Sequence, residues 1–137
     1  MPDKIRKAVY YNVEVPDKPG QGAKILSALK EAGVNLLAYN GFPIPGGKAQ
    51  LDFVPENPDA FVAAMRGQDV KLSEQKNAFL VQGDDRVGAL ADVLGKLSSQ
   101  GINLTAGQAV AAGTGRWGMV LWVAPADFAK ASKVLGI

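Results

Sequence analysis

Two stretches of the sequence decide the fold: VEVPDKPG at residues 13–20 and VQGDDRVG at residues 81–88. The second stretch lies 68 positions after the first, and the same offset relates residues further along the chain. Seven identities fall at this offset: Asp17 on Asp85, Gly20 on Gly88, Leu26 on Leu94, Leu29 on Leu97, Gly33 on Gly101, Asn35 on Asn103 and Leu36 on Leu104. Because self-similarity at a fixed offset is the signature of repeated units, the sequence predicts two copies of one module.

The composition excludes several classes of function. The 137 residues are 47% hydrophobic and 20% charged, which is typical of a globular protein, and the net charge of +2 is scattered without a basic patch for nucleic acid or membranes. The chain has no cysteine and no histidine, so it lacks thiolate ligands, Ser–His catalysis and the commonest zinc ligand. We therefore expect a protein without enzyme activity, cofactor or metal.

The sequence also predicts where the protein resides. No stretch approaches the about eighteen continuous apolar residues of a membrane span, and the N-terminus lacks the apolar core of a signal peptide. We expect a cytoplasmic protein.

Hydrophobic periodicity gives the same order of elements in both copies. In the first copy, apolar residues alternate over Val9–Val15, then recur at helical spacing from Gly22 to Ala32, with Gly33 suited to the helix end. The remaining expected elements are strands at 34–39, 49–54 and 70–72, a loop at 41–47 and a helix that begins at Asn57–Pro58. The second copy predicts strands at 78–82, 102–108 and 117–123, a helix at 88–99 buried through Leu90, Val93, Leu94 and Leu97, and a helix start at Pro125.

The order strand, helix, strand, strand, helix, strand predicts an α+β protein of two ferredoxin-like βαββαβ repeats, with antiparallel sheets and helices on one face. We expect residues 1–7 to be a tail, residues 8–74 the first repeat and residues 75–137 the second. The second repeat has a short or missing last strand, unless 134–137 supplies a stub or a strand is borrowed.

Several apparent motifs have simpler explanations. Residues 113–118 match G-x-G-x-x-G, but apolar, β-prone residues follow instead of a helix, so we expect a hairpin loop. Residues 41–48 have the wrong spacing for a P-loop. Asp84 and Asp85 could form a metal pair, although capping of the next helix is the favoured role. Trp117 and Trp122 face opposite sides of a strand; we expect Trp122 in the core and Trp117 at a loop edge or an interface.

The repeated turn remains as the candidate site. Gly20 and Gly88 lie where a strand leads into a helix N-terminus, whose free N–H groups suit a carboxylate. Asn35 and Asn103 offer both a donor and an acceptor, as the ammonium and carboxylate of an amino acid require. The alternative is that these residues only form caps, turns and loop contacts.

The segments Asp17-Lys18-Pro19-Gly20 and Gly33-Val34-Asn35-Leu36, with their second copies at 83–88 and 101–104, resemble tandem ACT domains. ACT domains are regulatory modules that bind amino acids at the interface between two modules. The resemblance implies ligand binding by Asp17, Lys18, Pro19, Gly20, Gln21 and Asn35 in the first copy and by Asp85, Arg86, Val87, Gly88, Ala89 and Asn103 in the second. Val87 replaces the proline of the first copy, which predicts a differently shaped loop.

The sequence thus predicts a free-standing, allosteric regulatory protein of amino-acid metabolism. We expect an amino-acid ligand, a homodimer and a separate metabolic enzyme as partner, and neither nucleic acid nor membrane. A ligand-free regulatory or structural subunit that docks to an enzyme is the alternative. An enzyme on this scaffold is the least supported, because no convergent set of catalytic residues is visible.

Overall fold

The computed structural model describes residues 3–137. Its strands and helices are β1 (Lys4–Pro16), α1 (Gln21–Glu31), β2 (Leu36–Ile44), β3 (Lys48–Pro55), α2 (Pro58–Met65), β4 (Lys76–Asp84), α3 (Ala89–Ser98), β5 (Leu104–Gly113), β6 (Arg116–Val123), a 3-10 turn (Pro125–Asp127) and α4 (Phe128–Val134). None of the helices in this part of the chain is long and apolar enough to cross a membrane.

The chain folds into two compact units. We call residues 9–76 the first unit and residues 3–8 with 77–137 the second unit. Each contains an antiparallel sheet, with β3 between β1 and β2 in the first unit and β6 between β4 and β5 in the second. Two helices accompany each sheet, which confirms the expected α+β fold class.

The core of the first unit lies between its sheet and its helices. Phe53 of β3 and Phe61 of α2 are fully buried, with ring centroids 5.4 Å apart, and Ile25 and Leu29 of α1 are also buried. The expected start of α2 is confirmed: the Asn57 side chain accepts a hydrogen bond from the Ala60 N–H at 3.2 Å, with Pro58 in the first turn.

The core of the second unit repeats this arrangement. Val93 and Leu97 of α3 are buried against β4 and β6, and Phe79 stacks on Phe128 of α4 at 4.6 Å. Leu90, which we expected on the buried face of this helix, is 42% exposed. It precedes the buried residue Val93 by three positions and lies in the first turn of α3, where Ala89 and not Leu90 is buried.

The prediction of a tail over residues 1–7 is wrong from Lys4 onward, because β1 begins there. Residues 3–8 belong to the second unit, and Ile5 packs against its core. The strand order β1–β4–β6–β5 places this part of β1 beside β4. The second unit therefore takes a strand from the N-terminus of the chain, and residues 1 and 2 lie outside the described residues.

The strand expected at 70–72 is replaced by an irregular segment. The Ser73 N–H donates to the Asn12 carbonyl at 2.9 Å, and the Asn12 N–H donates to the Ser73 hydroxyl at 2.9 Å. A side chain thus supplies one of the two acceptors that pairing with β1 requires, so regular ladder geometry is not formed.

The second strand of each copy is longer than expected. β2 continues to Ile44 through residues that we assigned to a loop, and Pro43 pairs with Ala49. β2 is the edge strand of its sheet, where the missing N–H of proline disrupts no ladder bond. The expected hairpin at 113–118 is confirmed, since Thr114 and Gly115 form a two-residue turn with φ of 56° and 69°.

Candidate functional site

The loop between β1 and α1, which we call the first loop (residues 17–20), leaves part of the helix start open. The Asp17 N–H donates to the Gly47 carbonyl at 2.9 Å, and the Lys24 N–H donates to the Gly20 carbonyl at 3.0 Å. Gly20 is the N-cap with φ of 91°, and no side chain caps the helix, so Asp17 does not have the capping role of the structural alternative. Within residues 3–137, no acceptor is found for the N–H groups of Gly22 and Ala23.

A cavity of about 300 Å³ lies against the first loop. Its walls come from the end of β1, the first turn of α1 and the edge strand β2, and they include Val15, Pro16, Asp17, Lys18, Gln21, Gly22, Tyr39, Phe42, Pro43 and Leu51. The residues that border it include an acidic and a basic side chain, Asp17 and Lys18, as well as aromatic and aliphatic side chains. This combination suits a small zwitterion with an apolar side chain.

Tyr39 places its hydroxyl group at the start of α1. A Cβ atom at Gly22 would lie 3.0 Å from the Tyr39 hydroxyl oxygen, and one at Gly41 would lie 3.2 Å from it. Burial raises the pKa of the Tyr39 hydroxyl. The two glycines therefore make room for the Tyr39 ring, which borders the cavity.

The loop between β4 and α3, the second loop (residues 85–88), repeats the backbone geometry of the first. The Asp85 N–H donates to the Gly115 carbonyl at 2.8 Å, the Asp92 N–H donates to the Gly88 carbonyl at 3.2 Å, and Gly88 has φ of 82°. Each of these bonds corresponds to one in the first loop at the same offset of 68 positions. A cavity of about 240 Å³, bordered by Arg86, Ala89, Leu90, Val110 and Trp117, lies beside it.

The two loops differ in charge. Arg86 forms ion pairs with Asp3 at 2.9 Å and with Asp92 at 2.8 Å. The hydrogen bonds from Arg86 hold the pKa of the Asp3 carboxyl below its ordinary value, and the same contact raises the pKa of Arg86. By contrast, no carboxylate among the described residues lies within ion-pair distance of Lys18. The first loop thus retains a cation that is available to a ligand.

The structure brings only part of the predicted site residues together. Asp17, Lys18 and Gln21 border the first cavity, and Asp85, Arg86, Gly88 and Ala89 border the second; neither cavity is bordered by Pro19, Gly20, Val87, Asn35 or Asn103. The Asn35 amide donates to the Glu56 carboxylate at 2.7 Å, and the Glu56 N–H donates to the Asn35 carbonyl at 3.0 Å. Asn35 therefore closes the end of the β2–β3 hairpin in this structure.

Two aromatic residues that border the first cavity, Tyr39 and Phe42, were not predicted as site residues. Tyr39 and Phe42 had been divided between a strand and a loop, although one continuous edge strand carries both. Trp117, expected at a loop edge or an interface, is only 6% exposed and belongs to the core of its unit. Trp122 is buried as expected.

Asp84 and Asp85 do not form a metal pair. The Asp84 carboxylate accepts a hydrogen bond from Arg116 at 2.7 Å, and Asp85 is exposed. Across residues 3–137, no group of three acidic side chains could hold a metal ion.

Comparison with known proteins defines the fold. No protein-family model matches the chain, and no curated protein matches it either. The crystal structure of protein BT0572 from Bacteroides thetaiotaomicron is similar with a TM-score of 0.81 at 21% sequence identity, covering 96% of this chain and 88% of that one.

Two regulatory subunits of aspartate kinase are also similar. The ligand-free subunit from Thermus thermophilus has a TM-score of 0.65 at 16% identity, with 97% of this chain and 93% of that chain covered. The subunit from Thermus flavus has a TM-score of 0.60 at 19% identity, with coverage of 98% and 95%. The chain therefore has the α+β fold of ACT-domain regulatory subunits.

Proposed function

We propose that this chain is a regulatory protein of amino-acid metabolism that binds a free amino acid at the first loop. The observation that carries the proposal is the cavity at the start of α1, which Asp17, Lys18 and Tyr39 border and where two helix N–H groups lack acceptors among the described residues. The fold of the aspartate kinase regulatory subunits is consistent with a regulatory role.

Each part of an amino acid has a complementary group at this cavity. The carboxylate would accept hydrogen bonds from the N–H groups of Gly22 and Ala23, aided by the helix dipole and by Lys18. The ammonium group would pair with Asp17. The side chain would contact Tyr39 and Leu51, which favours an apolar residue.

Regulation would follow if the ligand binds one assembly state better than another, since a ligand shifts an equilibrium only by its differential affinity. Phe42 is 38% exposed and Tyr39 is 39% exposed at the open side of the cavity. We propose that an ACT module of a second chain covers this side, so that the ligand favours the homodimer or its complex with an enzyme.

The thermal midpoint measured against each of the twenty amino acids tests this function. A ligand that binds only the native state stabilises it by about 2.7 kcal/mol at a hundredfold excess over Kd. We expect a shift with at least one amino acid, loss of that shift in Lys18→Gln, and its retention in Lys71→Gln. Lys71 is an exposed lysine of the same unit that does not border the cavity. The absence of a shift with all twenty would contradict amino-acid binding.

A second candidate function is docking without a small ligand. β5 is the edge strand of its sheet, most of its residues are exposed, and Val110 is 62% exposed. Such an edge offers unpaired backbone groups to a second copy or to a separate enzyme. If β5 forms the homodimer, sedimentation velocity will show monomers for Val110→Lys and dimers for Ser27→Lys, a control on the exposed side of α1. Dimers in both variants would exclude this surface.

A further inference from the structure

The second loop already binds a carboxylate of its own chain. Arg86 holds Asp3 through two parallel hydrogen bonds, Nη1 to Oδ1 at 2.9 Å and Nη2 to Oδ2 at 3.0 Å. The Trp117 indole N–H also donates to Asp3, at 3.3 Å. The Asp3 side chain is only 9% exposed. This bidentate arrangement is the one by which arginine recognises a carboxylate ligand.

A further carboxylate occupies the start of α3. Asp92 is the fourth residue of this helix and forms an ion pair with Arg86 at 2.8 Å. The corresponding residue of α1 is Lys24, and the first turn of α1 contains no acidic residue. At the second loop, the negative charges of Asp3 and Asp92 already lie on Arg86, so they would repel a further carboxylate. At the first loop, Lys18 has no carboxylate within ion-pair distance among the described residues, and Lys24 stands in place of Asp92.

The two helix starts also differ in the group beside them. Leu90 borders the second cavity at the position that Gly22 has in the first. At Gly22 the place of a side chain is taken by Tyr39, because a Cβ atom there would lie 3.0 Å from the Tyr39 hydroxyl oxygen. A polar hydroxyl group thus adjoins the start of α1, where α3 has an apolar leucine.

We infer that Asp3 and Asp92 act as internal carboxylates that close the second loop, so that each chain has one amino-acid site, at the first loop. This inference rests on the proposed function. It assigns to the N-terminal segment a role beyond completion of the sheet: Asp3 takes the place that the carboxylate of a ligand would have on Arg86.

Backbone amide NMR of the full chain tests the inference without any substitution. Each of the twenty L-amino acids is titrated separately, and the signals of Gly22 and Ala23 are compared with those of Leu90 and Ala91, the equivalent residues of α3. We expect saturable shifts at the first pair only. Shifts at both pairs would overturn the inference while the proposed function stands. If neither pair of amide signals shifts with any of the twenty amino acids, both the inference and the proposed function are overturned.

The double variant Asp3→Asn/Asp92→Asn tests the cause of the closure. Both side chains keep their size and lose their charge, so Arg86 becomes available, and we expect the amides of Leu90 and Ala91 to shift with an amino acid as well. The control is Asp69→Asn/Glu74→Gln, which removes two exposed charges that form no ion pair within the described residues. Spectra without ligand confirm that each variant is folded.

If the amide signals of Leu90 and Ala91 do not shift with any amino acid in the folded double variant, Asp3 and Asp92 are not the groups that close the second loop. Shifts of the Leu90 and Ala91 amide signals in the control variant would also overturn this assignment, because the loss of negative charge anywhere in the chain would then be sufficient to open the second loop.

Discussion

Asp3 and Arg86 lie 83 positions apart in the chain, yet their side chains form a bidentate ion pair at 2.9 and 3.0 Å. Gly83 makes this contact possible: a Cβ atom there would lie 2.9 Å from the Asp3 carboxyl carbon and 2.9 Å from the Trp117 indole nitrogen. The pair ties the N-terminal segment to the second loop within one unit. It also distinguishes the second loop from the first, where Lys18 has no carboxylate within ion-pair distance among the described residues.

This ion pair predicts a specific pH dependence of stability. The pKa of Asp3 lies below its ordinary value of 3.8, chiefly through the hydrogen bonds from Arg86, with smaller contributions from Trp117 and the charge of Lys96, while burial opposes them. A carboxyl whose folded pKa is depressed stabilises the protein above its unfolded pKa, and this contribution is lost as the pH falls through the folded pKa. We expect Asp3→Asn to be less stable than wild type at neutral pH.

The difference between Asp3→Asn and wild type should shrink as the pH falls below the unfolded pKa of about 4, because the unfolded chain then takes up a proton before the folded Asp3 does. Urea unfolding at a series of pH values measures it. Asp69→Asn is the matched control and should follow wild type throughout. A difference for Asp3→Asn that is constant with pH would show that the carboxylate charge is not responsible.

Equivalent substitutions in the two cores should lower the free energy of unfolding by similar amounts. Leu29 and Leu97 occupy the same position in α1 and α3 and are 2% and 0% exposed. Truncation of a buried leucine to alanine costs about 2–5 kcal/mol, because transfer free energy is lost and a cavity remains. We expect both Leu29→Ala and Leu97→Ala to lower the free energy of unfolding within this range. Urea denaturation measures the change, and a cost below about 1 kcal/mol for either would contradict the packing described for that unit.

Three glycines provide a contrast between backbone strain and chain entropy. Gly20 and Gly88 have φ of 91° and 82°, so alanine there would be strained, and we expect a loss of about 1 kcal/mol in each case. Gly95 lies inside α3 with no atom within 4 Å of its Cβ position. Gly95→Ala should therefore stabilise the protein by about 0.5–1 kcal/mol. Thermal unfolding distinguishes these signs, and destabilisation by Gly95→Ala would contradict the exposed helical position.

The order of strand, turn and helix at both loops could be predicted from the sequence, because local signals determine it. The differently shaped second loop expected from Val87 is not observed, since its backbone hydrogen bonds match those of the first loop. Glycine at 20 and 88, a preceding polar turn and a helical apolar pattern are sufficient to specify a strand, a turn and a helix. The confirmed cap at Asn57 and the hairpin at 113–118 are also local features.

The remaining features depend on contacts between distant residues. Asp3 belonged to an apparent tail, and nothing near it in the sequence indicates Arg86 as its partner. Tyr39 and Phe42 both border the cavity because β2 continues past Gly41. Pairing with β3 decides this continuation rather than strand propensity. The expected strand at 70–72 is absent, and the Ser73 hydroxyl instead accepts a hydrogen bond from the Asn12 N–H. The hydrophobic periodicity of the sequence does not indicate this contact.

Equilibrium dialysis against a mixture of the twenty amino acids, with the retained compounds identified by mass spectrometry, tests the central claim most directly. We predict that at least one amino acid is enriched on the protein side at about one per chain, that Lys18→Gln abolishes the enrichment, and that Lys71→Gln leaves it unchanged. Equal concentrations of all twenty on both sides of the membrane would contradict the claim that the first loop is an amino-acid site.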